Sequence, residues 1–494
     1  MTNGELVNIY LLLVSLLALP FIGGLVTLGL KRKDADVVAG LFSLVVFALA
    51  IILALKAGTR ELTFAFGSLP WLGIQEIFGF RVDPLAVIML LVTTFIGFFV
   101  VVYSSFYLSE GNREHPTTNG KGRYYFWLLF FLGAMVGVSI SQNFFQFFIF
   151  FELTTICSFA LIDFYETPRA LRAGFTALIT TSLGSLCFLA GLAILAVYAH
   201  SFDFEAVRDL SPSIKATFFI LLWISALAKG AQVPFQIWLP QAMEAPTPIS
   251  AYLHAASMVK VGVFLIARMV TTPHAFYPES LGVLVSLWAL FSMLFALLAF
   301  LGADDIKKLL AYSTIVHIGY ILLGLSLWLM GADIKALQGG ILHIINHSVS
   351  KGLLFLCAGI ISYITGTRKI SEIGGLGTKL PVNAIAFTIG GFAVGGFPPF
   401  ACFFSKFYMI LGAISLHNWI GILAAVFMVL ESTISLTWYI MITHRIFMGD
   451  EKPKLGEVKP IPLYINIILV FLALATIVVP QLGLEFVKVF EVIR

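Results

Sequence analysis

Five ionisable residues sit deep inside hydrophobic stretches of this sequence. Lys229, Lys260, Lys351 and Lys406 each interrupt an apolar run long enough to cross a membrane, and so does Glu152. A charged side chain at the centre of a spanning helix costs about 2.5–3.5 kcal/mol on insertion scales, so such residues are rare unless they have a function. The series therefore predicts an intramembrane path for protons or cations.

Histidines extend this series. In the segment LQGGILHIINHSVSKGLLFL, the residues His343, His347 and Lys351 recur every four positions, so they share one face of a helix. His317 and His254 lie in other apolar stretches and are candidates to lengthen this polar face, although a single buried histidine more often donates to a backbone carbonyl. Histidine titrates near neutral pH, as a water-linked proton relay requires.

A metal site is the competing interpretation of the His343 and His347 spacing. A metalloprotease motif requires a glutamate after its first histidine, and Ile344 occupies that position. No carboxylate or cysteine is clustered beside these histidines in the sequence, so we expect no metal centre. The chain also lacks a phosphate-binding loop, a convincing dinucleotide motif and iron–sulfur spacing. We therefore expect no cofactor, and no redox or hydrolytic centre within this chain.

The sequence predicts interaction partners for some of the buried charged residues. If their helices touch, Glu152 and Lys229 would form an ion pair whose protonation is coupled to the other lysines; the alternative is a static pair that only fixes helix packing. Lys406 either continues the path or extends its ammonium group towards lipid headgroups. Glu431 is a further buried acid with no obvious partner.

The composition indicates an integral membrane protein. Of 494 residues, 60% are hydrophobic and only 11% are charged, whereas about a quarter of the residues of a soluble domain are charged. The formal charge of +4 is small and its basic residues are scattered, so we expect no nucleic-acid partner. The four cysteines lie far apart in apolar runs, which favours free thiols.

Fourteen membrane spans of about 20 residues fit the hydropathy pattern, so the predicted fold is all-α. Two spans contain helix breakers: Pro234 follows Lys229, and Pro398 and Pro399 precede Lys406. Breaks at matching positions, five spans apart, favour two inverted five-helix repeats over simple packing kinks. The predicted divisions are helices 1–3 in residues 1–123, a first repeat in 124–270, an inverted second repeat in 281–447 and a last helix in 462–494.

Loop charges predict the orientation. If the amino terminus is outside, inner loops hold 17 basic residues and outer segments hold 9, which with the four intramembrane lysines accounts for all 30. The positive-inside rule then places both termini on the outer side of the cell membrane.

Five segments together carry a family resemblance: FELTTICSFALI, LAKGAQVPFQIWLPQAMEAPTPISAYLHAASMVKVGVFLIAR, AYSTIVHIGY, HIINHSVSKGLLFL and GFPPFACFFSKF. The pattern, over about residues 83 to 447, resembles the antiporter-like membrane subunits shared by respiratory complex I, multisubunit sodium/proton antiporters and membrane-bound hydrogenases. The resemblance implies a fourteen-helix inverted-repeat fold. Phe151 departs from the family, where many members have tryptophan, and the length is most like the shorter antiporter and hydrogenase types.

The resemblance also implies roles for individual residues. It makes Glu152 and Lys229 a coupling pair, continues a hydrophilic axis through Lys260, His343, His347 and Lys351, and makes Lys406 the terminal exchange residue.

The function expected from both arguments is translocation of protons or cations within a multisubunit membrane complex. The first hypothesis is a complex driven by a peripheral iron–sulfur or nickel–iron redox module, and the alternative is a gradient-driven sodium/proton antiporter. A scaffold with inactivated residues and a solute carrier with a midplane pocket are the hypotheses from other classes.

Overall fold

The protein is an all-α integral membrane protein with one small β-hairpin. The computed structural model describes residues 3–67, 77–453 and 460–492. Within these ranges, thirteen helical stretches are long and apolar enough to cross a membrane. Lys454, Lys459 and Arg494, which contribute to the loop charge count, lie outside the described residues, and so does the side chain of Arg32.

The helices follow the hydrophobic runs closely. Those of the amino-terminal part are α1 (Asn3–Leu28), α2 (Arg32–Ala57), α3 (Pro84–Tyr107), α4 (Lys121–Ile140), α5 (Phe144–Ile162) and α6 (Pro168–Tyr198). The middle part contains α7 (Pro212–Lys229), α8 (Trp238–Gln241), α9 (Thr247–Ala255), α10 (Met258–Thr271), α11 (Glu279–Leu301) and α12 (Ile306–Leu329). The remaining helices are α13 (Lys335–Thr365), α14 (Pro381–Gly395), α15 (Ala401–Ser415), α16 (Trp419–Phe447) and α17 (Leu463–Val487).

Strands β1 (Leu62–Phe66) and β2 (Phe78–Val82) pair antiparallel in the connection between α2 and α3, with Leu62 opposite Val82. Side-chain caps begin several helices, because the first backbone N–H groups of a helix have no partner within it. Asp83 accepts from the N–H of Ala86 at the start of α3, and Asn143 accepts from the N–H of Gln146 at the start of α5.

Both predicted helix breaks are present. Helix α7 ends at Lys229, and the chain is not helical again until Trp238. The predicted span 382–413 is divided into α14 and α15, each too short to cross alone, with Pro398 and Pro399 in the connection. The limits of the predicted repeats stay a prediction.

A third interruption was not predicted. The span 247–271 is divided at Ala256 and Ser257 into α9 and α10, between His254 and Lys260. The hydroxyl of Ser257 donates to the carbonyl of Tyr252, and that of Thr93 donates to the carbonyl of Ala256. These contacts satisfy backbone groups that a lipid environment could not.

The histidines of the polar series, together with Lys260 and Lys351, lie in the most buried helical stretches. Helices α12 and α13 are 94% buried in their most hydrophobic windows, whereas α1 is 33% buried there. Two glycines allow α12 and α13 to approach closely: a Cβ on Gly324 would lie 2.9 Å from the Cα of Gly340. This close contact brings His317 of α12 and His343 of α13 to the same level of the bundle.

Candidate functional site

Lys229 lies at the first helix break, completely buried. Its ammonium group donates to the backbone carbonyl of Phe151 at 2.9 Å and to the hydroxyls of Thr154 at 3.1 Å and Thr155. It also lies 4.3 Å from the centre of the Phe151 ring, an arrangement in which the ring face attracts a cation. Phe151, the position where many family members have tryptophan, is therefore in direct contact with Lys229.

Polar side chains take up the backbone groups freed by this break. The indole of Trp238 donates to the carbonyl of Ala228 at 2.9 Å, and the indole of Trp288 donates to the carbonyl of Val233 at 2.6 Å. The amide of Gln232 donates to the carbonyls of Gly230 and Ile315, both at 3.1 Å. The non-helical segment is thus held in protein, as a broken helix in a membrane must be.

Glu152 is only partly buried and accepts a hydrogen bond from Ser185 of α6. The direct Glu152–Lys229 ion pair expected from the sequence is wrong for this conformation, because Lys229 is bound to oxygens on the buried side of α5. The two charges still interact electrostatically through space. We call Glu152, Ser185, Thr154, Thr155 and Lys229 the first cluster.

Lys260 and His347 meet across the bundle. The Nζ atom of Lys260 on α10 lies 2.9 Å from Nδ1 of His347 on α13, and both residues are completely buried. The His347 ring centre lies 5.1 Å from that of His317 on α12. The predicted face of α13 therefore contacts two other helices through its polar side chains.

The next step of the series is a histidine pair. Nδ1 of His317 lies 2.8 Å from Nε2 of His343, and Nδ1 of His343 lies 2.8 Å from the hydroxyl of Ser405 on α15. Both histidines flank the ring of Tyr320, at centre distances of 5.7 and 5.4 Å. Imidazole can both accept and donate a proton, so stacked and bonded imidazoles suit proton transfer.

Lys406 and Glu431 form a buried ion pair at the end of this series. Their Nζ and Oε2 atoms lie 3.2 Å apart, and the residues are 3% and 1% exposed. Tyr320 donates to the same oxygen of Glu431 at 2.5 Å, and Lys406 lies 4.6 Å from the Tyr320 ring centre. Extension of Lys406 to headgroups is therefore wrong, and Glu431 has the partner that the sequence did not reveal. We call Lys260, His347, His317, His343, Tyr320, Glu431 and Lys406 the second cluster.

Lys351 lies beside the second cluster. Its ammonium group donates to the carbonyl of Leu310 and to the hydroxyl oxygen of Tyr439, both at 3.2 Å. Tyr439 in turn donates to Ser313 at 3.0 Å. The lysine thus leads from α13 towards α12 and α16 by a route separate from the histidine pair.

His254 does not join either cluster by hydrogen bonds. Neither ring nitrogen has a partner among the described residues, and the ring packs 4.7 Å from the ring of Phe355. Both Lys351 and Lys307 interact with it electrostatically. In the described part of the chain, no side-chain hydrogen bond links the first cluster to the second, so water would have to connect Lys229 with Lys260.

The expectation of no metal centre assumed that no cysteine lies near the histidines, and the structure shows that one does. Cys402 lies beside His317 and His343, with the three potential ligand atoms within 4.8 Å of one another. The sequence could not show this, because Cys402 is more than fifty residues from either histidine. The histidine nitrogens already bond each other and Ser405, and Lys406 acts on the same cysteine electrostatically, which disfavours a cation there.

The sequence also did not reveal a cluster of charged residues at one end of the bundle. Lys307, which the charge count treats as a loop residue, is 1% exposed and donates to the carbonyl of Ala245 at 2.7 Å. Arg368 contacts Glu114 at 3.4 Å, Asp305 at 3.4 Å and Glu244 at 3.2 Å. Burial alone would raise the pKa of Glu114, but Lys307 and Arg368 outweigh it and hold that pKa below its usual value.

These features define a class of protein: a polytopic membrane protein with ionisable side chains bonded across its core near interruptions of its helices. Residues 141–434 match the family described as NADH:quinone oxidoreductase/Mrp antiporter, transmembrane, and residues 71–117 match the complex I chain 5 N-terminus family.

Curated relatives agree with this match. The chain is 37% identical over 377 residues to Na(+)/H(+) antiporter subunit A1 of Staphylococcus epidermidis, covering 72% of this chain and 46% of that one. It is 35% identical over 424 residues to the corresponding subunit of Staphylococcus aureus, covering 81% and 52%. The chain thus spans about half the length of these relatives, and it belongs to the NADH:quinone oxidoreductase/Mrp antiporter membrane subunit family.

Solved structures share the fold. The Mrp complex from Dietzia sp. DQ12-45-1b contains a chain that matches with a TM-score of 0.85 and 26% identity, over 98% of this chain and 51% of that one. A chain of the archaeal membrane-bound sulfane sulfur reductase matches with a TM-score of 0.83 and 24% identity, over 97% and 96%. The predicted family resemblance is therefore confirmed.

Proposed function

We propose that this chain moves protons through the membrane along the first and second clusters, as one subunit of a multisubunit complex. The observation that carries the proposal is the second cluster: seven side chains from five helices meet, all of them at most 3% exposed. Burying several charges is costly, and apolar residues would pack the same space more cheaply.

Sodium/proton antiport is the form of this function that the relatives favour. The curated relatives named above are sodium/proton antiporter subunits, at 35–37% identity. The redox-driven alternative is supported by the sulfane sulfur reductase only at the level of fold. In either form the partners are other membrane subunits, and an iron–sulfur or nickel–iron module is a partner only in the second.

The two clusters would act at successive points of the proposed proton path. Lys229 lies at the break after α7, and Lys406 lies in the helix after the second break. Because no hydrogen bond joins Lys229 to Lys260 in the described residues, entry of water between them would act as a gate. A proton arriving at Lys260 would then pass through His347, His317 and His343 to the Lys406–Glu431 pair.

Orientation and repeats complete the proposal. Both termini lie on the outer side, as the loop charges predict. The repeats 124–270 and 281–447 are inverted copies, and each contributes one proline-marked helix break and two intramembrane lysines to the path.

The test is transport by the assembly purified through a tag on this chain and reconstituted in vesicles. Lys229→Ala should abolish coupled transport while the same subunits co-purify. Lys215→Ala, at the solvent-facing start of the same helix, is the control and should transport normally. Normal transport by Lys229→Ala would refute the mechanism. Iron–sulfur or nickel–iron proteins among the co-purifying subunits would decide for the redox-driven form.

A further inference from the structure

A charged pocket opens at the end of the bundle that carries the β-hairpin. Its volume is about 400 Å³, and it is lined by Glu61, Arg81, Asp83 and Arg268 together with hydroxyl and apolar groups. Arg268 is 3% exposed and bonds Asp83 through Nη1. Its Nε and Nη2 atoms have no hydrogen-bond partner among the described residues. Buried guanidinium N–H groups without acceptors are costly, so an acceptor from a ligand would stabilise them.

A second cavity is an apolar groove. It has a volume of about 280 Å³ and is lined almost entirely by carbon, with Ile51, Ile88, Val479 and Phe486 among its walls. Along α3 it extends from Ile88 to Ile96, a rise of about 12 Å, which is most of one bilayer leaflet at about 15 Å.

The same three segments of the chain line both cavities. Ile51 of α2 lines the groove and Thr59, two residues after α2 ends, lines the pocket. Ile88 and Leu85 of α3 divide between the two cavities in the same way, and so do Phe486 of α17 and Val489, two residues after α17 ends. Leu85 and Ile88 are one turn apart, and so are Phe486 and Val489. The linings of the charged pocket and the apolar groove are therefore neighbours along three segments of the chain, with the charged pocket at the ends of the helices.

The charges of the pocket select between lipid headgroups. Arg81 bonds Glu61 and Glu205, each at 2.7 Å, as well as Asp83. The lining itself holds two arginines and two acids, and Glu205, which binds Arg81 from outside the lining, adds a third acid. A ligand with a net negative charge would be repelled by this excess, whereas a zwitterion can place its phosphate on Arg268 and its ammonium on the half-exposed Glu61.

We propose that this site binds a single zwitterionic aminophospholipid, of the phosphatidylethanolamine type. Its phosphate accepts from the free N–H groups of Arg268, its ammonium group donates to Glu61, and one acyl chain fills the groove between α2, α3 and α17. Lipid binding here does not require that protons move through the chain, and it is tested without a transport assay.

The experiment measures lipid retained by the purified assembly. The assembly is exchanged into detergent containing equal amounts of phosphatidylethanolamine, phosphatidylglycerol and cardiolipin, and bound lipid is quantified by mass spectrometry after gel filtration. Two neighbouring substitutions on α17 form a matched pair. Val479→Trp fills the groove, whereas Val478→Trp faces away from it, with Val478 55% exposed.

We expect the wild type and Val478→Trp to retain phosphatidylethanolamine and Val479→Trp to lose it. Arg268→Lys keeps the charge opposite Asp83 but removes the free donors, so it should weaken retention about tenfold. Three results would overturn the proposal: no lipid retained by the wild type, retention of the anionic lipids in preference, or equal retention by the two tryptophan variants.

Discussion

Nζ of Lys260 lies 2.9 Å from Nδ1 of His347, with both side chains completely buried. Lys260 belongs to the first predicted repeat and His347 to the second, so this contact joins a buried lysine of one half to the histidines of the other. It also lies three residues beyond the unpredicted interruption at Ser257. A local opening of that interruption would move Lys260 relative to His347, so the proposed proton path would be interrupted at this point.

The Lys406–Glu431 pair should behave as a buried ion pair in stability measurements. Lys406→Met or Glu431→Gln alone leaves an uncompensated buried group, which costs about 3–5 kcal/mol. The double substitution should cost much less than the sum of the two. Thermal unfolding in detergent measures this, and the exposed pair Lys488–Glu485, with side chains 54% and 73% exposed, serves as a control that should change stability by less than about 1 kcal/mol. Additive losses for the buried pair would contradict the interpretation.

Phe151 should stabilise Lys229 through its ring face. Phe151→Leu should cost about 0.5–2 kcal/mol more than Phe147→Leu, since Phe147 is equally buried but is not over the lysine. In a Lys229→Met background the difference between the two leucine variants should disappear. A difference that persists in that background would show that the ring acts through packing alone.

Gly324 should be required for the His317–His343 contact. An added methyl group would meet the Gly340 backbone at 2.9 Å, so α12 and α13 would have to separate. We expect Gly324→Ala to destabilise the protein by about 1–3 kcal/mol and to reduce proton transport. Gly302→Ala, whose Cβ has no neighbour nearer than 3.9 Å, should change neither thermal unfolding nor transport. Wild-type stability of the Gly324 variant would show that the close approach is dispensable.

The carboxylate of Asp83 should stabilise the folded protein near neutral pH and lose this effect at acidic pH. Burial alone would raise its pKa, but Arg268 and Arg81 outweigh burial and lower the pKa below its ordinary value of 3.8. A lowered folded-state pKa means that the stabilisation is complete above the unfolded value and is lost as the pH falls through the folded value. The unfolding temperature of Asp83→Asn should therefore lie below that of the wild type by a constant amount above about pH 5, and the difference should shrink below about pH 4. The control is Asp209→Asn, at the exposed end of a short 3-10 helix. A pH-independent difference for Asp83→Asn would contradict the assignment.

The sequence predicted that the lysines and histidines within the spans are buried, but it missed the burial of Lys307 and did not show how the buried groups pair. Hydropathy located the lysines, and the four-residue spacing placed His343, His347 and Lys351 on one face of α13. The contacts of Lys260 with His347 and of Tyr320 with Glu431 join residues 87 and 111 positions apart, and helical periodicity carries no information about such pairs. For this reason Glu431 had no obvious partner, Cys402 was not placed beside the histidines, and Glu152 was paired with the wrong group.

Helix breaks were predictable only where proline marks them. Pro234, Pro398 and Pro399 identify two interruptions, since proline removes a helical hydrogen bond. The break at Ala256 and Ser257 contains no proline or glycine, and it depends on Thr93 of another helix to bind the freed carbonyl. A tertiary contact of this kind cannot be read from local sequence.

Proton flux through the reconstituted assembly is the most direct test of the second cluster. His347→Ala removes the group that joins Lys260 to the histidine pair, and His200→Gln changes an exposed histidine in a loop as the control. The account predicts that flux measured with an internal pH-sensitive dye falls about 100-fold or more in His347→Ala, while His200→Gln and the subunit composition of both variants remain as in the wild type. Wild-type flux in a correctly assembled His347→Ala complex would show that protons do not pass along this series.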